Sequence, residues 1–348
     1  MVLTAAGALS CGAGQGATSP AADPPGTTVA TTVGSTGVTT STTVAGRSGV
    51  QPVGTFAVGL ARRTFVDSTR PTAAHGGVAE KPSRTLPAIV VYPAAGGPAS
   101  ATAPKAIDDA AAQPGPWPLI VFSHGSTRRG IHYVDTLTAW ASAGYVVVAP
   151  DYPLSSEGVP GGTDYQGAPE QARDVSFLID EVTRLAGTGD AVLAGLVDVE
   201  HIGLGGQSFG AITSVLAGYN TCCAEDRVDA VVVFAGAGLA TPESGLLDPA
   251  SSARALLWVH GDADGTLPYA GAHAAWAQLP APRWFLTLAG GGHDDGFFGG
   301  LTSPEDRVVT LASVGFLDQQ LKGDATGLNR SREAVDAAGA TVAKLEAA

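Results

Sequence analysis

One serine of this chain lies in a glycine pattern that suits nucleophilic chemistry. The pattern Gly-x-Ser-x-Gly occupies residues 206–210, where a short apolar run ends and helix-compatible residues begin. Glycines two positions before and after Ser208 let a strand and a helix pass close together, so that the sharp turn between them exposes the hydroxyl. The free N–H groups and the positive dipole end of that helix would face a developing oxyanion. The pattern predicts that Ser208 is the nucleophile of an acyl transfer.

Such a serine needs a sheet and helices to hold its partners, and the rest of the sequence has the periodicity of both. Short apolar or β-branched runs, bounded by Gly, Pro and Asp, predict strands, and amphipathic stretches between them predict helices. The predicted strands cover 56–67, 84–92, 118–123, 145–149, 228–234, 255–260 and 283–288, and the predicted helices cover 133–142, 169–185, 209–218, 270–279 and 305–321. Uninterrupted apolar strands that alternate with helices indicate an α/β protein, with a mostly parallel sheet covered on both faces.

Four stretches carry a resemblance to a known superfamily. They are the segment 67–70, Arg84-Thr85-Leu86-Pro87, Phe122-Ser123-His124-Gly125 and the serine pattern at 206–210. Over residues 53–321 the chain resembles an α/β-hydrolase, and in particular the exported branch around dienelactone-hydrolase-like, chlorophyllase-like and platelet-activating-factor-acetylhydrolase-like esterases. Dienelactone hydrolases themselves use a cysteine nucleophile, so Ser208 groups this chain with the serine esterases. The resemblance implies the α/β-hydrolase fold and the hydrolysis of carboxylic esters.

The resemblance also implies an acid and a base that follow the serine in the order acid, then histidine. Two aspartates, Asp262 and Asp264, end the strand predicted at 255–260. In the family the acid lies three residues after a glycine, which selects Asp264, and Asp262 is then expected to brace the turn. His293 follows the next strand and three glycines, which would let a loop carry its imidazole to the serine. We therefore predict that His293 is the base and that Asp264 orients it.

The loops around this triad are expected to supply an oxyanion hole and an open cleft. The backbone N–H groups of Ser126 and Phe209 are predicted to hold the oxyanion, and His124 is interpreted as a packing residue of the same loop. The predicted substrate-binding side chains, each of which follows a strand end, are Tyr152, Leu267 and Phe297. Residues 235–254 are too few for a cap domain, so no large cap is expected.

The termini differ in composition from the predicted catalytic domain, which spans residues 51–324. Residues 1–50 carry only two charges among Ala, Gly, Thr, Ser, Val and Pro, which predicts a signal remnant and a disordered tether. Ala8-Leu9-Ser10-Cys11 resembles a bacterial lipoprotein box, although Ala8 stands where leucine is usual. We therefore expect a protein that is secreted, or anchored through lipidated Cys11 on the outer face of a bacterial membrane. Residues 325–348 are Ala-rich and are predicted to form a helical tail.

Composition limits the partners and cofactors. The net charge of −13 argues against nucleic acid as a partner. The three cysteines form no Cys-x-x-Cys pair, so no metal and no cofactor are expected. For the adjacent Cys222 and Cys223 the default expectation is two half-buried thiols, and a strained vicinal disulfide is the alternative. The expected partner is a small or polymeric ester, and the chain is expected to be a monomer. Polyester and phospholipid-acyl hydrolysis stay open, as do acyl transfer, peptide cleavage and ligand binding without catalysis.

Overall fold

A computed structural model describes residues 53–54, 56–96, 104–238, 245 and 254–348. The strands are β1 Ala57–Asp67, β2 Arg84–Ala94, β3 Ala106–Asp108, β4 Trp117–Ser123, β5 Val146–Pro150, β6 Val197–Gln207, β7 Val228–Phe234, β8 Ala255–Gly261, β9 Arg283–Leu288 and β10 Ala343–Ala347. The α-helices are α1 Val134–Ser142, α2 Ala168–Ala186, α3 Phe209–Tyr219, α4 Tyr269–Gln278, α5 Pro304–Lys322 and α6 Gly327–Ala338. The tether predicted at residues 1–50, with Cys11, lies outside these ranges.

The described strands form one mixed sheet with the order β10-β9-β8-β7-β6-β4-β5-β2-β1-β3. Strands β5, β4, β6, β7, β8 and β9 pair in parallel through its centre. The antiparallel pairs are β1 with β2, β2 with β5 and β9 with β10. Parallel strands need crossover helices, and these cover the two faces as the sequence predicts.

Alternation along the central strands divides the core into two layers. Leu119 and Val121 of β4 pack with α2, α3 and α4 on one face, and Ile120 and Phe122 pack with α1 and α5 on the other. All four side chains are fully buried. Because successive residues of a strand point to opposite faces, an apolar run without polar interruptions is what a strand covered on both sides requires.

A buried ion cluster fastens α2 to the antiparallel end of the sheet. Both carboxylate oxygens of Asp174 accept hydrogen bonds of 2.6 Å from Arg84, and one of them also accepts a 2.6 Å bond from Arg70. Arg70 in turn donates to Asp67 over 2.7 Å. Buried charges are tolerated when they are paired and hydrogen-bonded in this way. The residues that carry the resemblance at 67–70 and at Arg84 therefore hold α2 in place.

The C-terminal segment is part of the domain and is only partly helical, which corrects the predicted helical tail over residues 325–348. Helix α6 packs on α5, and Ser331 donates to the carbonyl of Ala312 over 2.8 Å. Strand β10 then pairs antiparallel with β9, so that Ala343 lies opposite Leu288. The edge of β9 offers unpaired backbone groups, and pairing with them outweighs the weak helical preference of this stretch.

Candidate active site

Ser208 lies on the sharp turn between β6 and α3 that the glycine pattern predicts. Its backbone has φ 55° and ψ −118°, a conformation that is rare for a residue with a side chain. Its N–H donates to the carbonyl of Phe234 over 2.9 Å. A Cβ at Gly210 would fall onto the carbonyl of Ser123, and one at Gly206 would fall onto that of Gly210. Both glycines are therefore required for the close approach of strand and helix.

The three predicted triad residues meet at the carboxyl ends of the parallel strands. The hydroxyl of Ser208 lies 2.8 Å from Nε2 of His293, and Nδ1 of His293 lies 2.7 Å from Oδ2 of Asp264. With the proton on Nδ1 donated to the carboxylate, Nε2 can accept the hydrogen bond of the hydroxyl. The side chain of His293 is 17% exposed and that of Asp264 is fully buried. The arrangement has the geometry of a nucleophile, a base and a group that orients the base.

The carboxylate of Asp264 is held in its ionised form by several donors. Burial acts to raise its pKa, but the hydrogen bond from His293, the amide N–H groups of Leu267 and Thr266 and the charge of His293 outweigh it and lower the pKa. The two amides donate to Oδ1 over 2.9 and 2.8 Å. Oδ2 is left to contact His293 and His260. Because its pKa is lowered, the carboxylate keeps the negative charge that stabilises an imidazolium.

Asp262 occupies a different place from Asp264, as the family spacing implies. It is exposed, and its Oδ1 accepts the N–H of Gly290 over 2.7 Å. Gly290 belongs to the loop between β9 and His293. Asp262 therefore braces the loop that carries the histidine and does not contact the imidazole itself.

His260 is a buried histidine beside the triad to which the sequence analysis assigns no role. Its Nε2 lies 2.8 Å from the carbonyl of Leu267 and 3.2 Å from Oδ2 of Asp264. Its Nδ1 accepts the indole N–H of Trp258 over 3.4 Å. Burial lowers the pKa of His260, although the Leu267 carbonyl and the Asp264 charge act in the other direction. The neutral ring thus ties the turn after β8 to the carboxylate of Asp264.

The N–H groups of Ser126 and Phe209, which the sequence analysis assigns to an oxyanion hole, are both left without an acceptor among the described residues. Phe209 is the first residue of α3, so its N–H has no partner within the helix. Ser126 lies in the loop after β4, where the preceding N–H, that of Gly125, is already donated to Tyr133 over 3.0 Å. Within the described ranges neither the N–H of Ser126 nor that of Phe209 has an acceptor. Two free donors beside the serine can stabilise negative charge on a carbonyl oxygen.

A chain of hydrogen bonds joins the three loops of the site, and sequence reasoning gave no sign of it. Tyr133 accepts from Gly125 and donates to Oε1 of Gln207 over 2.8 Å. The Nε2 of Gln207 donates to the carbonyl of His293 over 3.2 Å. Gln207, the residue before Ser208, thereby fixes the positions of the loop after β4 and the loop that carries His293 relative to the turn at Ser208.

His124 is a packing residue of the oxyanion loop, as the sequence analysis interprets it. It is fully buried, its Nδ1 lies 2.7 Å from the carbonyl of Gly125, and its Nε2 accepts from the N–H of Tyr152 over 3.1 Å. Oγ of Ser156, which donates to the carbonyl of Tyr152, lies 3.0 Å from the same nitrogen. Burial lowers the pKa of His124 to about 4, although the Gly125 carbonyl and the charge of Asp151 act in the other direction. The ring is therefore neutral at physiological pH.

This buried imidazole should make the protein acid-sensitive. In the unfolded chain the ring takes a proton near pH 6.5, but in the folded chain it does so only near pH 4. The stability it contributes is therefore complete above pH 6.5, falls as the pH falls and is lost near pH 4, a difference of about 3 kcal/mol. Urea unfolding at pH 7 and pH 4 should show a smaller drop for His124→Gln than for the wild type. The exposed His201→Gln is the control and should keep the wild-type drop, whereas an equal drop in all three proteins would contradict the account.

Two of the three predicted substrate-binding side chains are buried, which corrects their assignment. Tyr152 is 1% exposed and its hydroxyl bonds to Ser123 over 2.7 Å, and Phe297 is fully buried and stacks on Phe234 at 5.1 Å. Both rings pack the layers beside the sheet, because a position after a strand end does not fix the side to which a ring points. Leu267 is half-buried and contacts the triad through its backbone.

The aromatic residue that is exposed next to the site is Tyr165.

The prediction that no large cap covers the cleft concerned residues 235–254, of which 239–244 and 246–253 lie outside the described residues.

Cys222 and Cys223 are joined in a disulfide in the turn after α3, so the alternative holds and the default expectation of two thiols is wrong. The turn, in which the N–H of Cys223 donates to the carbonyl of Asn220 over 3.1 Å, brings the two sulfur atoms together. The described residues contain no group of three or more His, Cys, Asp or Glu side chains that could hold a metal ion. They also contain no helix long and apolar enough to cross a membrane.

Comparisons with known proteins support the fold. No protein-family model matches the chain, and no curated protein matches it. Among solved structures, a ferulic acid esterase from Streptomyces cinnamoneus is similar, with a TM-score of 0.56 and 22% identity, over 77% of this chain and 91% of that chain. Together with the order of strands and helices, this similarity confirms the predicted α/β-hydrolase fold.

Proposed function

We propose that this chain is a serine hydrolase that cleaves carboxylic esters. The observation that carries the proposal is the continuous line of hydrogen bonds from Ser208 through His293 to Asp264, with bonds of 2.8 and 2.7 Å. The line starts at the first turn of a helix, beside two free backbone donors. The similar solved structure is an esterase, which agrees with this chemistry.

The triad carries out the hydrolysis as two successive acyl transfers, first to Ser208 and then to water. Nε2 of His293 takes the proton of Ser208 as Oγ attacks the carbonyl carbon of the ester, and the N–H groups of Ser126 and Phe209 bind the oxyanion. When the tetrahedral intermediate collapses, the imidazolium returns the proton to the leaving alkoxide and an acyl-serine remains. Water then attacks the acyl-serine with His293 again as the base, which releases the acid and restores the serine.

Asp264 supports both steps through its charge and its position. It fixes the tautomer in which Nε2 accepts a proton, and it stabilises the imidazolium that forms twice in each cycle. His260 and the amides of Thr266 and Leu267 keep the carboxylate oriented. The chemistry proposed here requires no metal or cofactor.

The finer assignments are also proposals. The dienelactone-hydrolase-like branch rests on the sequence resemblance, and polyester or phospholipid-acyl hydrolysis remain alternatives, since the triad serves any acyl transfer. We further propose export, with residues 1–50 as a signal remnant and tether and Cys11 as a point of lipid attachment, a monomeric state, and no nucleic-acid partner. The net charge of −13 supports the last of these.

A panel of p-nitrophenyl esters of graded chain length, with a phospholipid and an aliphatic polyester added, tests this function. We expect turnover of short- to medium-chain soluble esters, and no sudden rise in rate when the substrate passes its micellar limit. The Ser208→Ala protein is the matched control for contaminating esterases and should be inactive. Cleavage of peptide substrates alone would contradict ester hydrolysis, and a rate that rises steeply at the micellar limit would contradict the uncapped cleft.

A further inference from the structure

We propose that Tyr165 forms a subsite for a planar aromatic acyl group beside the oxyanion hole. This inference rests on the proposed esterase function and names its substrate class, the esters of aromatic carboxylic acids. Tyr165 contacts both residues whose N–H groups are proposed to bind the oxyanion. Its ring lies edge-on to the ring of Phe209 at 5.3 Å, and its hydroxyl lies 3.0 Å from Oγ of Ser126.

The ring is held in place and yet open to substrate. Tyr165 is 63% exposed, although its hydroxyl is hydrogen-bonded and its ring packs against Phe209. The other large exposed apolar side chains of the described residues are aliphatic, at Val66, Val78 and Ile107. Because the hydroxyl already has a partner, the ring is the part of this side chain that is left for an apolar contact. Aromatic rings prefer offset or edge-on partners at about 4.5–7 Å, so a second planar ring suits this face.

The loop that carries Tyr165 is fastened at several points, so the ring is preorganised for binding. Oγ of Ser126 also bonds to Oγ1 of Thr163 over 2.6 Å. Asp164 receives the N–H of Gln166 over 3.1 Å, and Nε2 of His75 lies 2.8 Å from the carbonyl of Gly162. A side chain that is already positioned loses little conformational entropy when a ligand binds, which favours affinity.

We assign the ring to the acyl part of the ester rather than to its alcohol part. The leaving oxygen must face Nε2 of His293, which returns its proton, whereas Tyr165 contacts Ser126 and Phe209 on the side of the oxyanion donors. On the histidine side, Arg128 pairs with Asp294 at 3.0 Å and lies over the ring of Phe298. Because Asp294 already neutralises the charge of Arg128, the subsite suits an uncharged acyl ring rather than an acyl group that carries a further carboxylate.

Two esters of equal ring size test the subsite. Ethyl benzoate and ethyl cyclohexanecarboxylate share the alcohol and differ in whether the six-membered acyl ring is planar. The ratio of their kcat/KM values should fall about three- to tenfold in Tyr165→Ala relative to the wild type, because the aromatic contact is lost. Comparing ratios between proteins cancels the intrinsic reactivities of the esters. Tyr165→Phe keeps the ring and should keep most of the preference.

Ile107→Ala is the matched control, because Ile107 is 60% exposed and lies on β3 at the far edge of the sheet. Its ratio should equal that of the wild type. An unchanged ratio in Tyr165→Ala, or an equal change in Ile107→Ala, would overturn the subsite.

The binding of ethyl benzoate to Ser208→Ala, measured by calorimetry, separates the subsite from the esterase function. Binding that weakens when Tyr165→Ala is added supports the subsite even if the wild type hydrolyses neither ester. Equal binding with and without Tyr165 overturns the subsite even if both esters are hydrolysed.

Discussion

Replacing Ser208 by alanine is expected to lower kcat/KM for a soluble ester by about 10⁴-fold or more while leaving the fold intact. The loss is large because the remaining residues have no atom with which to form the acyl-enzyme. Ser208 supplies only its hydroxyl to the line of hydrogen bonds, since its N–H bonds to Phe234 in either protein. The midpoint of thermal unfolding should therefore change little.

A serine within α3, the helix that follows Ser208, provides the control. Oγ of Ser214 bonds to the carbonyls of Gly205 and Gly210 over 3.0 and 3.1 Å, and it is buried. Ser214→Ala removes the same atom six residues away and should keep activity within about tenfold, at a stability cost of about 1 kcal/mol. Full activity in Ser208→Ala, or an equal loss in both variants, would show that Ser208 is not the nucleophile.

The second large effect is expected for Asp264→Asn, which should lower kcat by about 10³- to 10⁴-fold. An asparagine amide has a donor where the carboxylate has only acceptors, so it favours the histidine tautomer with the proton on Nε2. That tautomer cannot accept the proton of Ser208. The charge that stabilises the imidazolium is lost as well. The backbone N–H groups of Thr266 and Leu267, which donate to Oδ1 of Asp264, favour the asparagine rotamer that keeps its oxygen there and turns its NH₂ group towards His293.

Asp262→Asn is the matched control for Asp264→Asn, because it makes the same chemical change two residues away. Asp262 braces the loop through Gly290 and does not touch His293, so this variant should keep activity within about tenfold. Steady-state kinetics of both variants on one ester give the comparison. Equal losses of kcat, or the larger loss in Asp262→Asn, would mean that the acid is misassigned.

The features that follow from local sequence could be predicted. Uninterrupted apolar runs that alternate with helical patterns predict the mostly parallel sheet and the helices around it, and the glycine pattern predicts the turn at Ser208. The short strand β3 and the strand β10 were missed, because Ala106–Asp108 and Ala343–Ala347 have little strand signal of their own. Their pairing with β1 and β9 outweighs this weak local preference.

Contacts between distant residues could not be predicted. Tyr133 and Gln207 are 74 positions apart, and nothing in either stretch indicates that their side chains meet. His260 is visible at the end of a predicted strand, but its partner Leu267 is fixed only by the turn. Tyr152 and Phe297 were misassigned because the sequence gives their distance from a strand end but not the direction of the ring.

Labelling by a serine-directed phosphonate tests the central claim most directly. A fluorophosphonate reacts covalently with a serine that is activated by a neighbouring base, so it reports the working triad without any assumption about substrate. Intact-mass analysis and peptide mapping of the full chain should find a single adduct on Ser208. Labelling should be absent in Ser208→Ala and much slower in Asp264→Asn than in Asp262→Asn. An adduct on any other serine, or no adduct on a folded wild-type protein, would contradict the account.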